Sequence, residues 1–557
     1  MFEKSRGIVG HHRLNQALRA LAALVIAAMV AVAISACGGS SSGSTSSNSA
    51  SSVANPTVTI GVYHDDLFDS IDTNLWDATT SWSVARLTCV PLVWYPNATG
   101  SAGSTLSPGL AESMPTVSAD GLTYTFKIRP GLKFSNGQPL TAADIKYTFY
   151  RIFKVNPGAF LVGIAGAEAV ANGKAKEVTG VVANGNTLTI HLTERNGAFL
   201  QSLSQMYTCP VPTGTSVKPI ENGSLPASGP YMIQSFTPNQ QLVLVRNPYF
   251  NTALGPKGVA GKFIFDLSLD ETEALAKIKL GQIATTLEGL PASDGLLAKT
   301  DPTLSGHVFS NVTPTLIYMW MNNDVPPFNN AKVRQAVNYA LDRNQLVKVS
   351  GGVAAAQAWQ QMLPPQLSGS SEGPYGSSPN LEKAKTLISE SGIKTPVSTT
   401  VWTPSIDNFP LAAQVIQQDL GAIGINLNIH VASSPVVSAY VSIRGHKAPA
   451  GFGSWTQDYP DGGDFMQLVD PRLASGNSEH SHFSATSLVP KFKAASEATG
   501  AARVSAYQSL AREVQENYAP WAPMYMQVET HATAPNVTGF EWQNLVGLPL
   551  LTGIGLK

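Results

Sequence analysis

Ser118-Ala-Asp-Gly-Leu-Thr-Tyr-Thr-Phe-Lys-Ile-Arg-Pro-Gly-Leu-Lys-Phe-Ser-Asn-Gly137 is the stretch from which the fold of this chain is read. Asp120-Gly121 forms a turn, and Leu122, Tyr124, Phe126 and Ile128 alternate with Thr and Lys, the period-two pattern of a half-buried strand. Working outward, Val58, Ile60 and Val62 alternate with Thr59 and Gly61 and read as a strand that opens the folded body. Asn184-Gly185 joins Val181-Val182 to Leu188-Thr-Ile-His-Leu192, a hairpin signal. Further along, helical stripes take over. Val333, Ala336, Val337, Ala340 and Leu341 share one helix face, in a segment closed by Gly351-Gly352. Leu381, Ala384 and Ile388 form a second stripe ending at Gly392. A helix from Leu411 to Ile423 leads through Gly424 into the alternating strand Ile425–Val431, a unit typical of α/β lobes. Val504, Tyr507, Leu510 and Val514 make a last amphipathic helix, stopped before Pro520. The simplest role for all these stripes is core packing. Strands and helices are mixed throughout, without internal repeats.

The N-terminus is of another kind. Lys4, Arg6, Arg13 and Arg19 precede Leu21–Ile34, fourteen residues without a charge. A bilayer span needs about 20 apolar residues, so this run has the form of a secretory signal. It ends in Ile34-Ser35-Ala36-Cys37-Gly38, which resembles the bacterial lipobox, where the cysteine is lipidated and becomes the mature N-terminus. The alternative is an ordinary signal peptide with an incidental cysteine. From Gly38 to Ser52 the chain is Ser, Gly, Thr, Asn and Ala with almost nothing apolar, a flexible tether. Residues 1–36 are therefore expected to be the signal peptide, and 37–55 the lipidated Cys37 with its tether. Gly39-Ser-Ser-Ser-Gly43 matches the serine-hydrolase elbow only formally, since it lacks the flanking strand and helix.

Charged residues make up 13% of the chain and the net charge is −1, with a pI of about 6.8. A nucleic-acid partner would require a basic face, and none is indicated. Of the three cysteines, Cys89 and Cys209 remain after Cys37 is assigned to lipid. In an exported protein such a pair reads as one disulfide, with two buried thiols as the alternative. With no C-x-x-C, a redox enzyme is not indicated. No credible G-x-S-x-G, H-E-x-x-H or P-loop suggests a catalytic site or a cofactor. In the mature chain His480-Ser-His482 is the close histidine pair. It lies in a polar segment with no cysteine nearby, and no metal is expected.

The strand block continues upstream to Leu110-Ala-Glu-Ser-Met114 and downstream to Pro139-Leu-Thr-Ala-Ala-Asp-Ile-Lys-Tyr-Thr-Phe149. Together with Ser228-Gly-Pro-Tyr231 and Asn247-Pro-Tyr-Phe250, it resembles the family 5 extracellular solute-binding proteins, the peptide- and nickel-binding group of ABC importers. Asn322-Asn323, Pro326-Pro-Phe-Asn329 and Val333-Arg-Gln-Ala-Val-Asn-Tyr-Ala-Leu-Asp-Arg343 extend the likeness, and Trp455-Thr-Gln-Asp-Tyr-Pro-Asp461 resembles the segment that supplies ligand contacts. The blocks stand in family order over most of the mature chain.

The resemblance implies an α/β, two-lobed periplasmic-binding-protein clamp, type II-like, with an extra subdomain on the first lobe and hinge closure around a ligand. Expected boundaries are 56–105, 215–315 and 523–557 for lobe I, 106–214 for the extra subdomain and 316–522 for lobe II. The crossing strands are expected near Thr313–Asn322 and Pro523–Val528. The implied function is capture of a peptide or other small molecule for a membrane permease and ATPase, by a monomer held to the outer face of the membrane through its lipid. A sensor or adhesion protein using the same clamp is the rival reading.

In peptide-binding relatives an aspartate at the position of Asp458 takes the ligand's α-amino group. An enclosed ammonium needs an opposite charge because desolvating it alone is costly. Asp461 and Asp464 could share that role, or cap a turn with Gly462-Gly463. Trp455, Trp402, Tyr459, Tyr318 and Trp320 are candidate aromatic walls of the cleft, with core packing the alternative. Tyr63 and His64 follow the first strand, where the family's cleft floor lies. The loop Val401–Pro410, where short-peptide receptors place an arginine for the ligand carboxylate, has no basic residue. That departure speaks against dipeptide specificity and leaves longer peptides or non-peptide solutes.

Overall fold

The structure is a computed structural model that describes residues 53–557 apart from 64–69, 77, 158–160, 162, 222, 407, 442–446 and 474–479. Cys37, the tether and His64 lie outside the described residues.

Two large sheets and one smaller sheet organise the body. In the first, strands run in the order Thr285–Thr286, Thr57–Gly61, Lys262–Asp266, Gln241–Arg246, Tyr231–Thr237. The opening strand pairs in parallel with its two neighbours, and the remaining pairs are antiparallel. Val58 and Ile60 are fully buried, with Leu242, Leu244, Phe263 and Phe265 in the same cluster. The alternation read in the sequence thus covers this sheet's core face.

The second large sheet has the order Ala356–Ala358, Trp521–Ala532, Val308–Met321, Ala450–Thr456, Val397–Pro404, Ile425–Ala432. Its helices follow the expected stripes, with one difference. Ala331–Ala340, capped by Asn330, stops at Leu341, and Asp342 caps a new helix over Arg343–Val349. The segment leading to Gly351 is therefore two helices, since an Asp whose side chain accepts a backbone N–H favours a helix start over a helix interior. Leu381–Ser391, Phe409–Gly421 and Gly500–Asn517 form the other helices.

Val308–Met321 and Trp521–Ala532 pair antiparallel and join the two lobes. Their outer ends, Val308 and Ala532, pack in a small cluster with Leu269 and Ile278 beside the first sheet. Their other ends pack in the cores of the second lobe, Met319 and Met524 on one side and Trp320 and Trp521 on the other. Register is lost between Val312 and Leu316, where Pro314 has no N–H to give the ladder. The joint is thus least tightly paired midway between the lobes.

The four-stranded sheet, Thr116–Val117, Thr123–Lys127, Thr187–His191, Val181–Asn184, belongs to the extra subdomain. Phe126, Phe149, Ile152, Leu188 and Ile190 fill its core. The hairpin read from Asn184-Gly185 is present, with its loop one residue later, at Gly185–Asn186. Gly185 takes φ +54° there, a conformation open to glycine without steric cost. Helix Ala142–Val155 covers this sheet and sends Arg151 into a buried site, where its Nη1 donates to Asp72 Oδ1 at 2.7 Å and Asn74 Oδ1 at 2.8 Å. Cys89 and Cys209 are joined as a disulfide, with Cα atoms 5.8 Å apart. No described helix is long and apolar enough to cross a membrane.

Candidate functional site

Strand Ala450–Thr456 carries the chain to the joint between the lobes, with Trp455 opposite Leu316. Beyond it the backbone turns. The Gln457 N–H donates to the Pro314 carbonyl at 3.0 Å, and the Gln457 side chain donates to the carbonyl of Leu545. This loop therefore starts anchored to a joining strand and to the first lobe.

Three aspartates follow, and their surroundings differ. Asp461 caps helix Gly462–Met466 by accepting the Gly463 N–H at 2.7 Å. It is also held by Arg503, whose Nε and Nη2 donate to its two oxygens at 2.7 and 2.8 Å. Asp464 is fully buried. It accepts the Asp458 N–H at 3.0 Å, the Trp455 indole N–H at 3.4 Å and the Gln467 amide at 3.2 Å. Burial first, and then the neighbouring Asp458, hold its carboxyl well above the usual carboxylate range, which favours the protonated form. The same burial, with Asp464 next, pushes the Tyr459 hydroxyl far above its ordinary value. Asp461 is thus held by an arginine and Asp464 by hydrogen bonds inside the loop, and Asp458 is the aspartate of the three that lines a cavity.

That cavity has about 370 Å³ of empty space, its mouth included, and its wall joins Asp458 from the second lobe to Trp82, Arg86, Tyr95, Gln205 and Val546 from the first. Trp82 and Arg86 are one turn apart on helix Thr79–Thr88 and so share a face. Arg86 is buried, and its pKa is lowered to about 10 by that burial, which leaves it charged at neutral pH.

The aromatic candidates are scattered. Trp455 is half-buried and reaches Asp464, and Tyr459 is buried beside the three aspartates. Tyr318 stacks on Trp521, centroids 4.0 Å apart, and Trp320 donates its indole N–H to the Phe452 carbonyl at 3.1 Å. Both are in the second lobe's core and do not line the cavity. They stand on a central strand with a sheet neighbour on each side, so their alternation serves packing. Trp402 stacks on Tyr440 at 4.3 Å and is also outside the cavity wall. Tyr63 donates its hydroxyl to the Gly289 carbonyl, and burial raises its pKa far above the ordinary value. His480 is half-buried and desolvation lowers its pKa to about 4, while His482 Nδ1 lies 3.1 Å from Asp324. Among the described residues no cluster of three or more His, Cys, Asp or Glu could hold a metal ion.

Arg86, Trp82, Tyr95 and Gln205 were not singled out from the sequence. Arg86 sits in Trp82-Ser-Val-Ala-Arg-Leu87, which reads as the interior of an apolar helix, and nothing local marks its side chain as facing a cavity.

Comparison with known proteins places this geometry. The family profile described as bacterial extracellular solute-binding proteins, family 5 Middle, matches residues 105–475. Heme-binding protein A of Haemophilus influenzae is 26% identical over 464 residues, covering 79% of this chain and 82% of the relative. The glutathione-binding protein GsiB of Escherichia coli K12 is 27% identical over 447 residues, 77% of this chain and 82% of the relative. Among solved structures, clavulanic acid biosynthesis oligopeptide binding protein 2 superposes with a TM-score of 0.82 at 24% identity, covering 90% of this chain and 96% of that one. Haemophilus influenzae OppA in complex with RPPGFSPFR gives 0.71 at 20% identity, covering 90% and 100%. These likenesses carry the two-lobed α/β clamp.

Proposed function

The chain belongs to the bacterial extracellular solute-binding proteins of family 5, and from that premise we propose that it captures a peptide between its lobes and delivers it to the permease and ATPase of an importer. Its relatives and structural neighbours are substrate-binding proteins of transport systems, not enzymes. The observation that carries the peptide reading is the place of Asp458 in the cavity wall, which it shares with the first lobe's Arg86 and Gln205. With Asp461 paired to Arg503 and Asp464 buried in hydrogen bonds within the loop, Asp458 is the aspartate of the three that lines the cavity, and a carboxylate there suits an ammonium group. Lipid on Cys37 would keep the receptor at the membrane face, close to its permease. Fatty-acid labelling of wild type that is lost in Cys37→Ala would support that anchor, and equal labelling would end it.

The cavity reading is tested by calorimetry with a mixture of short peptides, or with ligand that co-purifies and is identified by native mass spectrometry. Asp458→Asn keeps the shape and removes the charge. It should weaken binding at least tenfold, about 1.4 kcal/mol, with little change in the melting temperature of the empty protein. Unchanged affinity would overturn the amine-anchoring role and bring forward a ligand without an amine.

A further inference from the structure

On the first-lobe wall of the cavity, two buried donors lack acceptors. Arg86 is 6% exposed and Gln205 is 5% exposed. Arg86 Nη2 donates to the carbonyls of Tyr95 at 3.0 Å and Pro96 at 3.4 Å, while its Nε is buried without a hydrogen bond. Gln205 Nε2 is likewise buried and unbonded, and both side chains line the cavity with Asp458.

Two other buried arginines, Arg334 and Arg343, give a comparison. Arg334 donates from Nε to the Tyr518 carbonyl at 2.8 Å and from Nη1 to that of Phe328 at 2.6 Å. Arg343 uses Nε, Nη1 and Nη2 on Pro523, Asn338 and Gly376. Neither leaves its Nε unbonded, and neither lines the cavity. Orphaned donors inside a protein are costly, so a pair of them on one wall of a cleft points to an acceptor that arrives from outside. The acceptor that suits a guanidinium and a neighbouring amide is an anion with two oxygens.

Resting on the reading of this cavity as the ligand site, we propose that Arg86 and Gln205 form a carboxylate receptor on the first lobe, across the cavity from Asp458. A ligand carrying both an amine and a carboxylate would then be held by one lobe at each end. Such a ligand bonds fully only when the lobes approach, which is the differential affinity that closure needs. The carboxylate can be a chain terminus or an acidic side chain.

Three probes separate the possibilities in calorimetry on the purified protein: Ala-Ala-Ala, its C-terminal amide, and the C-terminal amide of Ala-Glu-Ala. The wild type should bind the free acid at least about tenfold more tightly than the tri-alanine amide, as expected for a charge-assisted hydrogen bond. Arg86→Gln should bring the two to within about threefold, and Arg86→Lys should keep part of the preference. If the Ala-Glu-Ala amide matches the free acid, a side-chain carboxylate serves as well as the terminus. Should Arg86→Gln fail to fold, Gln205→Glu replaces it. That variant supplies a carboxylate from within and should abolish the preference. Equal binding of acid and amide by the wild type, or a preference that survives both substitutions, overturns the receptor. The cavity would still stand as the ligand site if Asp458→Asn weakens binding. If none of the three probes binds, this proposal fails, while the peptide reading is decided by the Asp458→Asn comparison with the ligand that co-purifies.

Discussion

Arg503 clasps Asp461 with two parallel hydrogen bonds of 2.7 and 2.8 Å, and with its remaining Nη1 it holds the carbonyls of Ala495 and Ser496 at 3.0 and 2.8 Å. One guanidinium thus fixes the loop that carries Asp458 to the end of helix Val489–Glu497. Both partners of the ion pair are nearly buried, with side chains 6% and 10% exposed. Breaking it strands a carboxylate, so Arg503→Met should cost about 3–5 kcal/mol in urea unfolding. Adding Asp461→Asn to Arg503→Met should restore part of that loss. Strictly additive losses in the double variant would mean that the pair does not act as a unit.

The same helix end touches the extra subdomain. The Gly197 N–H donates to the Ser496 carbonyl at 2.8 Å, and a Cβ at Gly197 would lie 1.9 Å from the carbonyl oxygen of Ala498. That contact is possible for glycine alone. Gly197→Val should therefore oppose the close approach of the subdomain and the second lobe, a clash relieved by opening. Ligand affinity should fall at least tenfold, about 1.4 kcal/mol, while the melting temperature of the empty protein stays within a few degrees. Small-angle scattering with ligand should show a larger radius of gyration than for ligand-bound wild type. Normal affinity in the valine variant would exclude this contact from the ligand-bound form.

Arg151 and Asp72 tie the subdomain to the first lobe, and both side chains are fully buried. Asp72 also accepts the Ile220 N–H at 2.9 Å, so three separate segments meet at one carboxylate. Arg151→Met should destabilise by about 3–5 kcal/mol without weakening ligand binding, since neither residue lines the cavity. A loss below ~1 kcal/mol in denaturant unfolding, the size of a surface pair, would show that the site tolerates an unpaired aspartate.

What the sequence made legible was whatever repeats locally. The Leu122–Ile128 alternation, the Asn184-Gly185 turn and the helix stripes each follow from spacing along one segment, and the ordered family blocks carry the clamp. The cavity depends on segments more than 350 residues apart, since Arg86 and Asp458 meet there only through folding. Burial inverts other expectations. Tyr318 and Trp320 have the composition of a cleft wall and stand in a core. Asp461 and Asp464 look like equals of Asp458 in the sequence, and only the positions of Arg503 and the surrounding core separate their roles.

Asp419 gives a test of how burial shapes charge far from the cavity. It lies on helix Phe409–Gly421 and accepts the Asp342 N–H at 2.9 Å. Burial first, with repulsion from Asp342 adding to it, raises its pKa from 3.8 to about 6. A carboxyl whose folded pKa is raised is favoured when protonated. Its stabilising contribution is complete below its unfolded pKa near 4 and is lost as pH rises through about 6. Asp419→Asn keeps an acceptor for the Asp342 N–H and removes the titration. The variant should therefore be more stable than wild type at pH 7.5, with an advantage that shrinks across pH 6 to 4 and disappears below. Urea unfolding of both proteins at pH 4, 5, 6 and 7.5 measures that difference directly. A difference that stays constant with pH, or that grows as pH falls, would mean that Asp419 keeps an ordinary or lowered pKa in the folded protein.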